Sequence, residues 1–66
     1  MEIYINQKKE IIDEEISIDN LLLFFKIQNK YIAVEVNQVI IPKSEYDTFI
    51  VRDNDKIEII NAVGGG

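Results

Sequence analysis

Cysteine, histidine and tryptophan are absent from the 66 residues, proline occurs once, and the three glycines occupy the last three positions. Without cysteine there is no disulfide, no thiolate nucleophile and no Cys-based zinc site, so the core rests on apolar packing alone and a reducing compartment suits the chain. Without histidine there is no imidazole base, no Ser-His or Cys-His pair and no ordinary transition-metal cage. Only carboxylates, lysines and tyrosines remain as titratable tools. The expectation is therefore a protein that is not an enzyme and that binds neither metal nor cofactor. No apolar run approaches the roughly 20 residues of a membrane span, and the opening MEIYINQKKE lacks a basic start followed by a long apolar stretch. A cytoplasmic protein with no membrane partner is expected. Positive charge is also scarce: seven basic residues face twelve acidic ones, a formal charge of −5. Such a surface repels a phosphate backbone, so nucleic acid is not an expected partner, whereas a protein with a basic docking surface is.

What is present fits one small domain, which at this length buries only about 60% of the surface its unfolded chain exposes. MEIYIN alternates, placing Met1, Ile3 and Ile5 on one strand face and Glu2, Tyr4 and Asn6 on the other. NQKK reads as a turn, and EIIDEE, residues 10–15, as a second strand of the same hairpin. Ser17 is a suitable helix N-cap for IDNLLLFFKIQ, residues 18–28, although Asn20 supplies only half of a capping box. Ile18, Leu21, Leu22 and Phe25 make one apolar stripe, and Asp19 suits the positive end of the helix dipole. Leu23 and Ile27 lie on the opposite side, to be covered by later loops or left as a partner surface, and both Phe24 and Phe25 are assigned to the core.

Beyond the helix, YIAVEV is a strand with Ile32, Val34 and Val36 opposed to Tyr31, Ala33 and Glu35. Pro42 cannot sit in a central strand, which makes Val39 to Ile41 a short edge segment followed by a turn through Lys43 to Asp47. FIVRDNDKIEIINAV completes the chain as strand, RDND turn and strand. Tyr31 and Tyr46 read as packing residues with wet hydroxyls, and the acidic runs at 13–15 and 53–55 as solvated turns, since neither has the spacing of a calcium loop.

The order β-β-α-β-β-β, with a helix linking the second strand to a parallel neighbour and the last strand returning through the middle, describes an α+β β-grasp, the ubiquitin-like fold. It would have a mixed sheet of four or five strands and one main helix on one face. Residues 1–63 would form the domain and residues 64–66 a flexible glycine tail. Ile57, Ile59 and Val63 should point toward the helix, leaving Tyr4, Ile60 and Ala62 as an apolar docking patch on the other face, or as ordinary exposed surface.

The fold hosts many functions, so the tail must decide. Gly64, Gly65 and Gly66 have no Cβ and form a narrow ribbon with a reach of roughly 10 Å, able to pass where a side chain would block. A terminal carboxyl on Gly66 is ionised in the cell and can attack the α-phosphate of ATP when a partner positions both, giving an acyl-adenylate that passes to sulfur or to an amine. A frayed end or an appended remnant is the plain alternative.

The whole chain resembles the ThiS family of sulfur carriers. The resemblance lies in the paired Leu21 and Leu22, the final Gly65 and Gly66, and above all VNQVIIPKSEYDTFIVRDNDKIEII, with Asn37, Ile40, Ile41, Pro42, Lys43, Tyr46, Asp53, Asp55 and Ile57 at the family's turn, Pro-basic, aromatic and acidic-turn positions. It implies that a ThiF-like adenylyltransferase consumes ATP to activate Gly66, that a sulfur-donating relay protein supplies sulfur for a thiocarboxylate, and that a ThiG-like thiazole synthase receives it in thiamine thiazole synthesis. Ubiquitin-like protein modifiers and the molybdopterin-synthase small subunit share the terminal glycine pair and remain alternatives, as does a non-covalent β-grasp interaction module whose glycines are inert.

Overall fold

A computed structural model of the chain describes residues 1–28 and 30–61. In chain order the elements are β1 (Glu2–Ile5), β2 (Lys8–Ile11), β3 (Ile16–Ser17), α1 (Ile18–Phe24), β4 (Ile32–Val36), β5 (Val39–Ile41), a one-turn 3-10 helix at Lys43–Glu45, β6 (Ile50–Val51) and β7 (Lys56–Asn61). Five strands form one sheet in the order β2-β1-β7-β4-β5, while β3 and β6 make a separate two-stranded ladder. The β1/β7 pair is parallel and the other pairs of the large sheet are antiparallel. This is the β-grasp anticipated from the pattern, with the last strand in the centre. The parallel neighbour expected for β2 across the helix is not adjacent to it: β4 runs in the same direction, but β1 and β7 lie between them.

The opening hairpin is tighter than the polar run NQKK suggests. Ile5 pairs with Lys8, so only Asn6 and Gln7 form the turn, and the second strand begins at Lys8 and ends at Ile11 rather than covering residues 10–15. Both turn residues have positive φ, 51° and 71°, the geometry whose twist matches a two-residue hairpin. The same dipeptide repeats the device at Asn37 and Gln38, φ 52° and 72°, between β4 and β5. Each asparagine also holds the central strand. Asn6 Oδ1 accepts from the Ile59 N–H at 2.7 Å and Asn37 Oδ1 from the Lys56 N–H at 3.0 Å.

Helix α1 begins as its sequence indicates. Ser17 is extended, and its hydroxyl accepts from the Asn20 N–H at 3.2 Å. The helix ends four residues before Gln28, however, because Lys26 turns left-handed at φ 58°. The Ile27 N–H then reaches back to the Leu22 carbonyl at 2.8 Å and the Lys26 N–H to the Leu23 carbonyl at 3.1 Å, the paired bonds of a Schellman ending. This reversal brings Ile27 against the core instead of leaving it on the far side of a longer helix, while Leu23 stays exposed.

The core lies between α1 and one sheet face. Ile18, Leu21 and Leu22 pack with Ile3, Val34, Val36 and Ile57, all buried, and Phe25, Ile32 and Ile59 close its margins. Phe24 is not part of it: one helical step from Phe25, its ring is 62% exposed and meets Phe25 edge-on at 4.9 Å. Tyr46 departs from expectation in the opposite sense. It is buried rather than wet, and loss of solvent raises its phenol above the usual range, partly offset by the Val34 backbone. Tyr31 is exposed, with the Lys30 ammonium over its ring. Pro42 follows the edge strand β5, as its missing N–H requires.

The two acidic runs serve turns and contacts. Asp53 accepts from the Glu2 N–H at 2.7 Å, and Asp55 takes one bond from the Asn37 amide at 2.9 Å and another from the Arg52 N–H at 2.8 Å. Glu15 pairs with Arg52 at 2.9 Å, close to the β3/β6 ladder. Of that ladder the sequence reading contains β6, within the strand expected at FIV, but neither β3 nor the pairing, since a two-residue strand carries no usable periodicity.

Candidate functional site

The side of the large sheet away from α1 carries the residues of β7 that do not face the core. Alternation and register put Tyr4 and Glu2 of β1, Lys56, Glu58 and Ile60 of β7, Ala33 and Glu35 of β4, and Ile40 of β5 on that side. Along β7 the side chains pointing this way run Lys56, Glu58, Ile60, and Asn61 is the last described residue. In sequence, Ala62, Val63, Gly64, Gly65 and Gly66 follow.

Of the expected docking patch, Tyr4 and Ile60 do share this face, but they are not neighbours. Tyr4 pairs with Lys56 and Ile60 with Ala33, and Glu58 stands between them on β7. Ile60 instead adjoins Ala33, with the exposed Ile40 one row along, because Ile40 pairs with Glu35. Ala62, Gly64, Gly65, Gly66 and Val63 lie outside the described residues.

Register also places Glu35 directly opposite Glu58, two half-buried carboxylates on adjacent central strands. Like charges across a ladder destabilise it, so the pair is kept at some cost. The sequence shows each glutamate on the polar side of its strand, but not that they meet, since the pairing joins positions 23 residues apart. On the other flank, the Glu2 carboxylate hydrogen-bonds the Lys9 ammonium and raises its pKa above the ordinary value. An open depression of about 680 Å³ lies between the two Asn-Gln turns, lined in part by Tyr4, Gln7, Gln38 and Lys56. It sits at the start of β7, the opposite end from Asn61.

What the arrangement offers is a central strand clamped by ladders on both sides and by Asn6 and Asn37, with a mixed apolar and acidic surface beside its last turns of alternation. This is a ubiquitin-like β-grasp domain with one face of its large sheet packed on α1 and its last strand in the centre. The ThiS family model matches residues 1–66, and the chain belongs to the ThiS family. It is similar to the sulfur carrier protein ThiS of Bacillus subtilis, 42% identical over 50 residues and covering 76% of each chain. A crystal structure of the thiamine biosynthesis protein ThiS from Geobacter metallireducens superposes with a TM-score of 0.90 at 30% identity, covering 100% of both chains. The entire chain is also 35% identical to a stretch of a thiazole synthase from Paramagnetospirillum magneticum, of whose length it spans 20%. Among the described residues no helix is long and apolar enough to cross a membrane.

Proposed function

We infer that this chain is a sulfur carrier for thiamine thiazole synthesis, with Gly66 as the carrying residue. The observation that carries the reading is the end-to-end match to the ThiS family on a fold whose clamped central strand leads directly into residues 62–66. A carboxylate oxygen of Gly66 attacks the α-phosphorus of ATP on an adenylyltransferase, and pyrophosphate leaves. Hydrosulfide delivered by a relay protein then attacks the acyl carbon and displaces AMP, leaving a thiocarboxylate. The sulfur passes to a thiazole synthase. The occurrence of a similar stretch inside a chain named thiazole synthase supports that last partner.

The domain's part in these steps is positional. Holding reactants in place can contribute roughly 7 to 11 kcal/mol to such a reaction, and a rigid strand leading to residues without side chains suits delivery into a narrow site. The helix-free face, with Ile60, Ala33 and Ile40 beside Glu35 and Glu58, is the surface that holds the domain at each partner. Intact-protein mass spectrometry of the chain from cells that make thiamine tests the reading. The expected species is the free protein ending at Gly66 with one oxygen exchanged for sulfur; a ladder of isopeptide-linked adducts, or no modified form when thiamine is limiting, would refute it.

A further inference from the structure

A second apolar surface lies on the helix side, remote from the role assigned to β7. Two exposed apolar residues, Phe24 at the end of α1 and Ile50 in β6, line one open groove of about 600 Å³, and Ile11, which pairs with Glu2 and so projects from the other sheet face, only borders it at the end of β2. Neither Phe24 nor Ile50 belongs to the core. The groove's charged lining is of one sign. Asp13, Glu14 and Asp47 are exposed on it, Glu15 is engaged by Arg52, and no lysine or arginine is among the described residues that line it.

We propose that this groove docks a cationic, apolar segment of a partner protein, with aliphatic or aromatic side chains against Phe24 and Ile50 and lysines or arginines against Asp13, Glu14 and Asp47. Charge selects this occupant over the others. A second copy of a chain with net charge −5 would bring acid against acid, and a phosphate-rich polymer or anionic lipid surface would be repelled. The groove is built from the β2-to-α1 segment, the end of α1 and β6, so a segment seated there leaves Glu58 and Ile60 of β7 uncovered. One partner can then be retained while another works on the chain's end.

The test uses the full chain, isotope-labelled, titrated with a short peptide alternating leucine and lysine and, separately, with the same peptide carrying glutamate for lysine. Amide resonances of Phe24, Ile50 and Asp47 should move with the cationic peptide only, and the affinity should fall several-fold as salt is raised. Phe24→Ser, which removes an exposed ring, should weaken binding about tenfold or more while the remaining spectrum is unchanged. Asp47→Lys gives an independent charge test and should weaken it as well. Equal response to the glutamate peptide, shifts centred on Tyr4 and Ile60 instead, full affinity in both variants, or concentration-dependent shifts of the groove in the free chain, which would make a second copy the occupant, each overturn the proposal.

Discussion

Replacing Lys26 with glycine should stabilise the domain, although it removes a side chain and inserts the residue least suited to helices. Lys26 ends α1 at φ 58°, and a left-handed residue carrying a Cβ costs about 1 to 2 kcal/mol. Glycine removes that cost but loses about 0.5 to 1 kcal/mol through the greater freedom of the unfolded chain. The lysine charge beyond the helix C-terminus is worth about 0.3 kcal/mol at an exposed position, which is also lost. The balance is a gain of about 0.5 kcal/mol, or roughly 2 to 4 °C in Tm for a domain of this size. Lys26→Ala supplies the control, since it discards the charge but keeps the Cβ, and it should be neutral to slightly destabilising. Thermal melts followed by circular dichroism compare the three chains. If the glycine variant were no more stable than the alanine variant, the left-handed ending and its two back-bonds to Leu22 and Leu23 would not be what terminates the helix, and Ile27 would owe its place in the core to something else.

Leu22→Ala should cost about 2 to 5 kcal/mol in a denaturant melt, because the side chain is 2% exposed between helix and sheet; a near-neutral value would mean the helix is rotated from the position described. Gly65→Val should leave the melt unchanged while slowing adenylation on the order of a hundredfold in a pyrophosphate-exchange assay with the activating partner, and an undiminished rate would sink the narrow-channel role of the glycines. Tyr46 holds its proton more tightly folded than unfolded, so its contribution is complete below pH 10, the ordinary phenol value, and is lost as pH rises through the elevated folded value. Tyr46→Phe should therefore flatten the alkaline fall in stability, and an unchanged profile would exclude the phenol as its source.

The local features legible in the chain are those whose cause is local. Alternation in MEIYIN and YIAVEV, the hydroxyl of Ser17 ahead of an apolar stripe at Ile18, Leu21 and Leu22, and the missing N–H of Pro42 each act within a few residues, and each stands where expected. The order of elements and the family motif then lead to the β-grasp. Wherever tertiary packing outvoted a local preference, the sequence was silent. Gln7, Lys26 and Gln38 take positive φ without being glycine, because hairpin register and the seating of Ile27 reward the turn more than the Cβ penalises it. Phe24 and Phe25 are alike as neighbours in sequence, and only the rotation of α1 on the sheet decides that one lines the core and the other the solvent. The pairing of β3 with β6 and the meeting of Glu35 with Glu58 join segments far apart in the chain, so they are properties of register, which no single strand contains.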